Sequence, residues 1–218
     1  MKYITVPGTW SWPKDWNIVA PEEWWRFGSD HNKFLTEQGF SLYRPDTSFI
    51  WNSEVDGERF FERFEKEPNS GYKDHHAWIS GAIALAFFVQ GGVEAKDTNI
   101  ICHSHGLQVV LYACYRFNLK INNLLSVCSP IRHDMVDVTE SAIKNIKFWV
   151  QVQDTEEDEW QRRGRFGDGA IQIHRPRSKA NVEVNIDGID HSKILYDKNY
   201  YHHWIDEGLI DYLRLNNG

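Results

Sequence analysis

The sequence predicts an α/β protein: a mostly parallel sheet of about six strands with helices on both faces. Three observations lead there. Short apolar, β-rich runs recur at residues 3–6, 40–43, 99–103, 124–128, 146–152 and 182–186. Helical patterns separate most of these runs, and strands alternating with helices imply parallel pairing. The 218 residues, 41% hydrophobic and 25% charged, suit a single domain, residues 1–218, with a sizeable core.

The first run leads into Pro7-Gly8-Thr9-Trp10, a glycine turn at a strand end, where backbone amides can approach a bound molecule. Five of the ten tryptophans, Trp10, Trp12, Trp16, Trp24 and Trp25, crowd the segment around it. They suit a core wedge, the aromatic wall of an apolar cleft, or both. Pro21 followed by Glu22 and Glu23 marks a helix start running to Gln38, with Gly39 as its stop. Two further helices are expected over 56–66 and 74–90. The uncharged stretch 77–93 falls short of the roughly 20 apolar residues of a membrane span, and it predicts a buried helix instead.

The run Asn99-Ile100-Ile101-Cys102-His103-Ser104-His105-Gly106-Leu107 drives an apolar strand through one serine into a helix. Leu107, Val110, Leu111, Cys114 and Tyr115 follow at helical spacing over 106–117. This is the pattern of a nucleophile elbow, in which small residues two before and two after the serine let the chain turn sharply enough to project the hydroxyl. Gly106 fills the later place, and Cys102 the earlier one. The amides at the helix start favour developing negative charge.

A serine hydroxyl is a weak nucleophile at neutral pH, so the elbow calls for a histidine base and an acid to orient it. His191 is the best histidine, on the glycine-containing loop directly after the last expected strand. The acid should follow strand 146–152, where Asp154, Glu156, Glu157, Asp158 and Glu159 compete. Asp158 is favoured because Trp160 follows it, an acid-x-apolar pattern that lets the loop fold back; Asp154 is second. Oxyanion donors are expected at the His105 amide and at Thr9 or Trp10. Residues 154–176 read as long loops, and 204–215 as a closing helix.

On Val6 to Trp10, Ile100 to Gly106, Gln153 to Trp160 and Gly188 to Leu195, the chain resembles the small lipase and esterase-like members of the α/β-hydrolase superfamily. The acid and the histidine follow the serine in that family's order. The resemblance implies a minimal α/β-hydrolase fold and a serine hydrolase acting on a small-molecule ester with an apolar portion. Ser104, Asp158 and His191 would form the triad, with no cofactor. Thioesters and amides use the same machinery, and a binding protein that keeps the fold without turnover is the alternative of a different class.

Other classes fit poorly. A net charge of −7, with no basic tract beyond Arg162-Arg163-Gly164-Arg165, argues against nucleic acid. His103 and His105 beside Cys102, and the pair His133-Asp134, are metal-ligating residue types. The turn at Gly106 would splay the first pair, however, and no established metal motif accompanies them. Three cysteines in apolar contexts suit reduced, buried thiols. The opening residues lack the apolar run of a secretory signal, which predicts cytoplasmic residence.

Overall fold

Strand β1 (Lys2–Val6) lies inside the sheet rather than at its edge, and this decides where a site can form. The computed structural model describes residues 1–8, 24–25, 27–43, 75–90, 98–130, 135–154 and 179–215. Within them, β1 is joined by β2 (Ser41–Leu42), β3 (Asn99–His103), β4 (Ile121–Val127), β5 (Ile146–Asp154) and β6 (Val182–Ile186). The strand order is β2-β1-β3-β4-β5-β6, and every pair is parallel. From β1 the chain steps to one side for β2 and to the other for β3. The carboxyl ends of β1 and β3 therefore flank the point where strand order reverses, and in open α/β sheets the ligand crevice opens at such a point.

Both faces of the sheet are covered. Alternation along the strands sends Ile4, Val6, Ile100, Cys102 and Leu124 to one face, where they pack under helices α2 (His75–Gln90), α3 (Gly106–Phe117) and α4 (Val136–Ala142). Tyr3, Ile101, Leu125, Val127 and Val150 go to the other face. There they meet α1 (Asp30–Glu37), α5 (Lys193–Tyr196), α6 (His202–Asp206) and α7 (Leu209–Arg214). The two largest fully buried side chains keep their polar atoms satisfied, as burial requires. Trp149 Nε1 donates to Ser126 Oγ at 2.7 Å, and Trp204 Nε1 to the Ile194 carbonyl at 2.9 Å. Cys102, Cys114 and Cys128 are buried and form no disulfide, as expected.

Three helices differ from their sequence reading. The helix expected from Pro21 begins instead at Asp30: Gly28 takes a left-handed φ of 81°, and Ser29 caps the helix by accepting from the Asn32 amide. The closing helix is two, because Gly208 turns left-handed at φ 69° between α6 and α7. Helix α2 is half buried rather than buried; Ala82, Leu85, Ala86 and Val89 enter the core while Ile79, Ile83 and Phe87 are exposed. Among the described residues no helix is long and apolar enough to cross a membrane. The expected helix over 56–66 lies outside the described residues, as do the loops expected over 154–176 apart from Asp154, which ends β5.

Candidate active site

Strand β3 ends at His103 and α3 starts at Gly106, leaving two residues for the reversal. Ser104 takes the strain, with a left-handed φ of 50° that is uncommon for a residue bearing a Cβ. Its amide donates to the Val127 carbonyl at 3.1 Å, and its carbonyl accepts from the Leu107 amide at 3.2 Å. The turn is thus tied to β4 on one side and to the helix on the other. Non-glycine residues held in this region mark sites where surrounding structure over-determines the backbone.

Both ends of the motif are packed against the β1 exit. A Cβ on Gly106 would lie 2.6 Å from the Val6 carbonyl oxygen and 2.7 Å from that of Pro7. A Cβ on Gly8 would lie 2.7 Å from the Ser104 Cβ. Only glycine admits these approaches, which bring the backbone after β1 directly beside the serine. His105 is the residue preceding the first turn of α3, in helical conformation, so its amide belongs to the helix start. Thr9 and Trp10, the expected second oxyanion donors, lie outside the described residues.

His191 comes to the serine from the far side of the sheet. Its Nε2 is 3.0 Å from Ser104 Oγ, within hydrogen-bond distance, and both residues are partly exposed. The loop that carries it leaves β6 through Gly188 at φ 66° and Asp190 at φ 51°. Asp154 Oδ2 accepts from the Asp190 amide at 2.9 Å, and Cys128 Sγ donates to the Asp190 carbonyl at 3.2 Å. His103 Nε2 is 2.9 Å from the His191 carbonyl oxygen. A carbonyl only accepts, so that His103 nitrogen carries a proton. The rings of His103 and His191 are tilted against each other with centroids 4.7 Å apart.

Asp158, the expected acid, lies outside the described residues, as do His133 and Asp134. His103, weighed at the sequence level for a metal, binds backbone instead. Among the described residues, no group of three or more His, Cys, Asp or Glu is placed to hold a metal ion. Trp24 and Trp25 are core residues, buried over β1. Thr5 Oγ1 donates to the Trp25 carbonyl at 2.9 Å, and the Trp24 ring meets that of His103 edge-on at 6.3 Å. Trp10, Trp12 and Trp16 lie outside the described residues. Cys128, read from the sequence only as a buried thiol, touches the loop that carries His191. The signal for it was its place at the carboxyl end of a central parallel strand, where sites of this architecture collect their residues.

No protein-family model matches the sequence, and no curated protein matches it. Solved structures do. One, described as a predicted CIB-like hydrolase from Thermoplasma acidophilum, matches 96% of this chain and 86% of its own, with 11% identity and a TM-score of 0.51. A methylesterase from Arabidopsis matches 96% of this chain and 98% of its own, with 11% identity and a TM-score of 0.50. Likeness at this identity speaks for the fold. Taken with the six-stranded parallel order and the strand, serine turn and helix at its centre, it establishes that the chain has the α/β-hydrolase fold.

Proposed function

We propose that this protein is a serine hydrolase of carboxylic esters that works through an acyl-enzyme. The observation that carries the reading is the pairing of Ser104 Oγ with His191 Nε2 at 3.0 Å on a left-handed turn between β3 and α3. A general base must reach the proton it abstracts, and this separation meets that requirement.

In the reaction, Ser104 Oγ attacks the ester carbonyl as its proton passes to His191 Nε2. The tetrahedral oxyanion is held by the His105 amide and by amides at Thr9 or Trp10 after β1. Collapse breaks the bond to the alcohol, which leaves with the proton from His191 and puts the acyl group on Ser104. Water then attacks the acyl-enzyme, again giving its proton to His191, and the acid departs as the serine recovers its own. Asp158 holds His191 in the tautomer with its proton on Nδ1, which leaves Nε2 able to accept. The substrate is a small ester with an apolar portion.

Labelling with a fluorophosphonate tests this directly. The wild-type protein should be modified at Ser104, and Ser104→Ala should take up no label. A protein that resists the probe, or one modified elsewhere, would reject the mechanism.

A further inference from the structure

We infer that His103, Cys128 and Asp154 are positioning residues, which carry the backbone of Asp190 and His191 across the sheet to Ser104. The inference rests on the serine-hydrolase reading for its consequence and on geometry alone for its premise.

The geometric problem is distance. His191 follows β6, whereas Ser104 follows β3, three strands away. At the usual inter-strand spacing the loop must cross about 14 Å of sheet edge. It crosses β5 and β4 on the way, and each strand end it reaches supplies one hydrogen bond. Asp154, the last residue of β5, takes the Asp190 amide; Cys128, just past β4, gives to the Asp190 carbonyl; His103, the last residue of β3, gives to the His191 carbonyl.

The contact points also descend. The sheet register places His103 level with Val127, and Val127 level with Val152. On that scale Asp154 stands two residues above the level, Cys128 one residue above, and His103 on it. The loop therefore steps down by one residue per strand until His191 meets the serine. This path explains why Asp190 tolerates its φ of 51°: both its amide and its carbonyl are held from outside. Misplacing a reacting group by about 1 Å can cost about 100-fold in rate, so a base on a loop needs such an anchorage.

Substitution by an amide distinguishes this role of Asp154 from that of the acid that orients the base. Asparagine in its place keeps an oxygen able to accept from the Asp190 amide, whereas an amide cannot replace a carboxylate that stabilises the imidazolium.

The test compares Asp154→Ala with Asp154→Asn and His103→Leu with His103→Gln. Hydrogen exchange over residues 188–192 is measured beside burst and steady-state hydrolysis of a p-nitrophenyl ester. Asp154→Ala and His103→Leu should speed exchange and lower kcat by about 10- to 100-fold, with KM and burst amplitude little changed. The Asn and Gln variants should stay within about threefold of wild type, since each keeps the bond.

Unchanged exchange in the Ala and Leu variants overturns the inference, as does faster exchange with full kcat, or a burst amplitude that falls with kcat, which marks loss of fold. An Asp154→Asn loss as deep as that of Asp154→Ala makes Asp154 the orienting acid and overturns its positioning role. Failure of the underlying reading looks different: Ser104→Ala keeps its activity while exchange still responds to Asp154→Ala.

Discussion

Gly106 and Val6 are in contact across the site: a Cβ on Gly106 would stand 2.6 Å from the Val6 carbonyl oxygen, closer than any real Cβ contact. The end of β1 thus lies on the first turn of α3, and the backbone leaving β1 can come no nearer to the helix than this glycine allows. Gly106→Ala should push the two apart. Overpacking of this kind costs about 1–3 kcal/mol, and we expect a fall of at least about 3 °C in Tm by thermal denaturation. Ester hydrolysis should fall as well, because the displaced strand end leads to the backbone donors proposed at Thr9 or Trp10. A variant with unchanged Tm and kcat would show that the contact is not rigid.

In the proposed reaction Ser104 contributes chemistry at the expense of stability. Ser104→Ala and Ser104→Gly should each lower kcat by about 10⁴-fold or more. They should differ in Tm. Alanine keeps the Cβ at a left-handed φ of 50°, which costs about 1–2 kcal/mol, while glycine relieves it. Calorimetry should place the glycine variant roughly 2–4 °C above the alanine variant, the shift expected for about 1 kcal/mol in a chain of this size. Equal Tm values would mean that the turn is unstrained.

The elbow was legible because it is local: an apolar strand, a serine, a glycine and a helix in about a dozen consecutive residues, with β3, β6 and α3 falling where the periodicity put them. His191 was legible from its place after the last strand. Less legible was whatever depends on distant partners. Strand β4 starts at Ile121, three residues before the apolar run at Leu124, because Asn122 and Asn123 read as loop residues. Both are buried, and Asn123 Nδ2 donates to Asn99 Oδ1 at 3.0 Å and to the Leu213 carbonyl at 3.1 Å. The roles of His103, Cys128 and Asp154 likewise come from strand register, which no local pattern reveals.

The acid can be identified by comparing amide substitutions. Asp158→Asn should lower kcat by about 10⁴-fold, the loss expected when the orienting carboxylate becomes an amide and the histidine takes the wrong tautomer. Glu156→Gln and Glu157→Gln should lower it far less. A larger effect at either glutamate, in steady-state hydrolysis at pH 8, would transfer the role within the same acidic run.

A buried histidine, His31, makes the fold less stable in acid. His31, on α1, is 1% exposed, and its ring packs against Trp24, Tyr201 and Trp204 at centroid distances of 5.5, 5.8 and 4.8 Å. Neither ring nitrogen has a hydrogen-bond partner among the described residues. Burial disfavours the charged ring and lowers its pKa to about 3. In the unfolded chain the same ring takes a proton near pH 6.5. As pH falls below that value, the unfolded state binds a proton that the folded state refuses, so stability declines down to about pH 3; above pH 6.5 the group contributes no pH dependence. The slope is about 1.4 kcal/mol per pH unit for one such group. His31→Phe removes the titration and keeps a ring in the aromatic cluster. Urea denaturation at pH 7, 6 and 5 should therefore find the variant losing less stability per pH unit than wild type. Parallel pH dependences would mean that folded His31 takes up its proton as readily as the unfolded chain does.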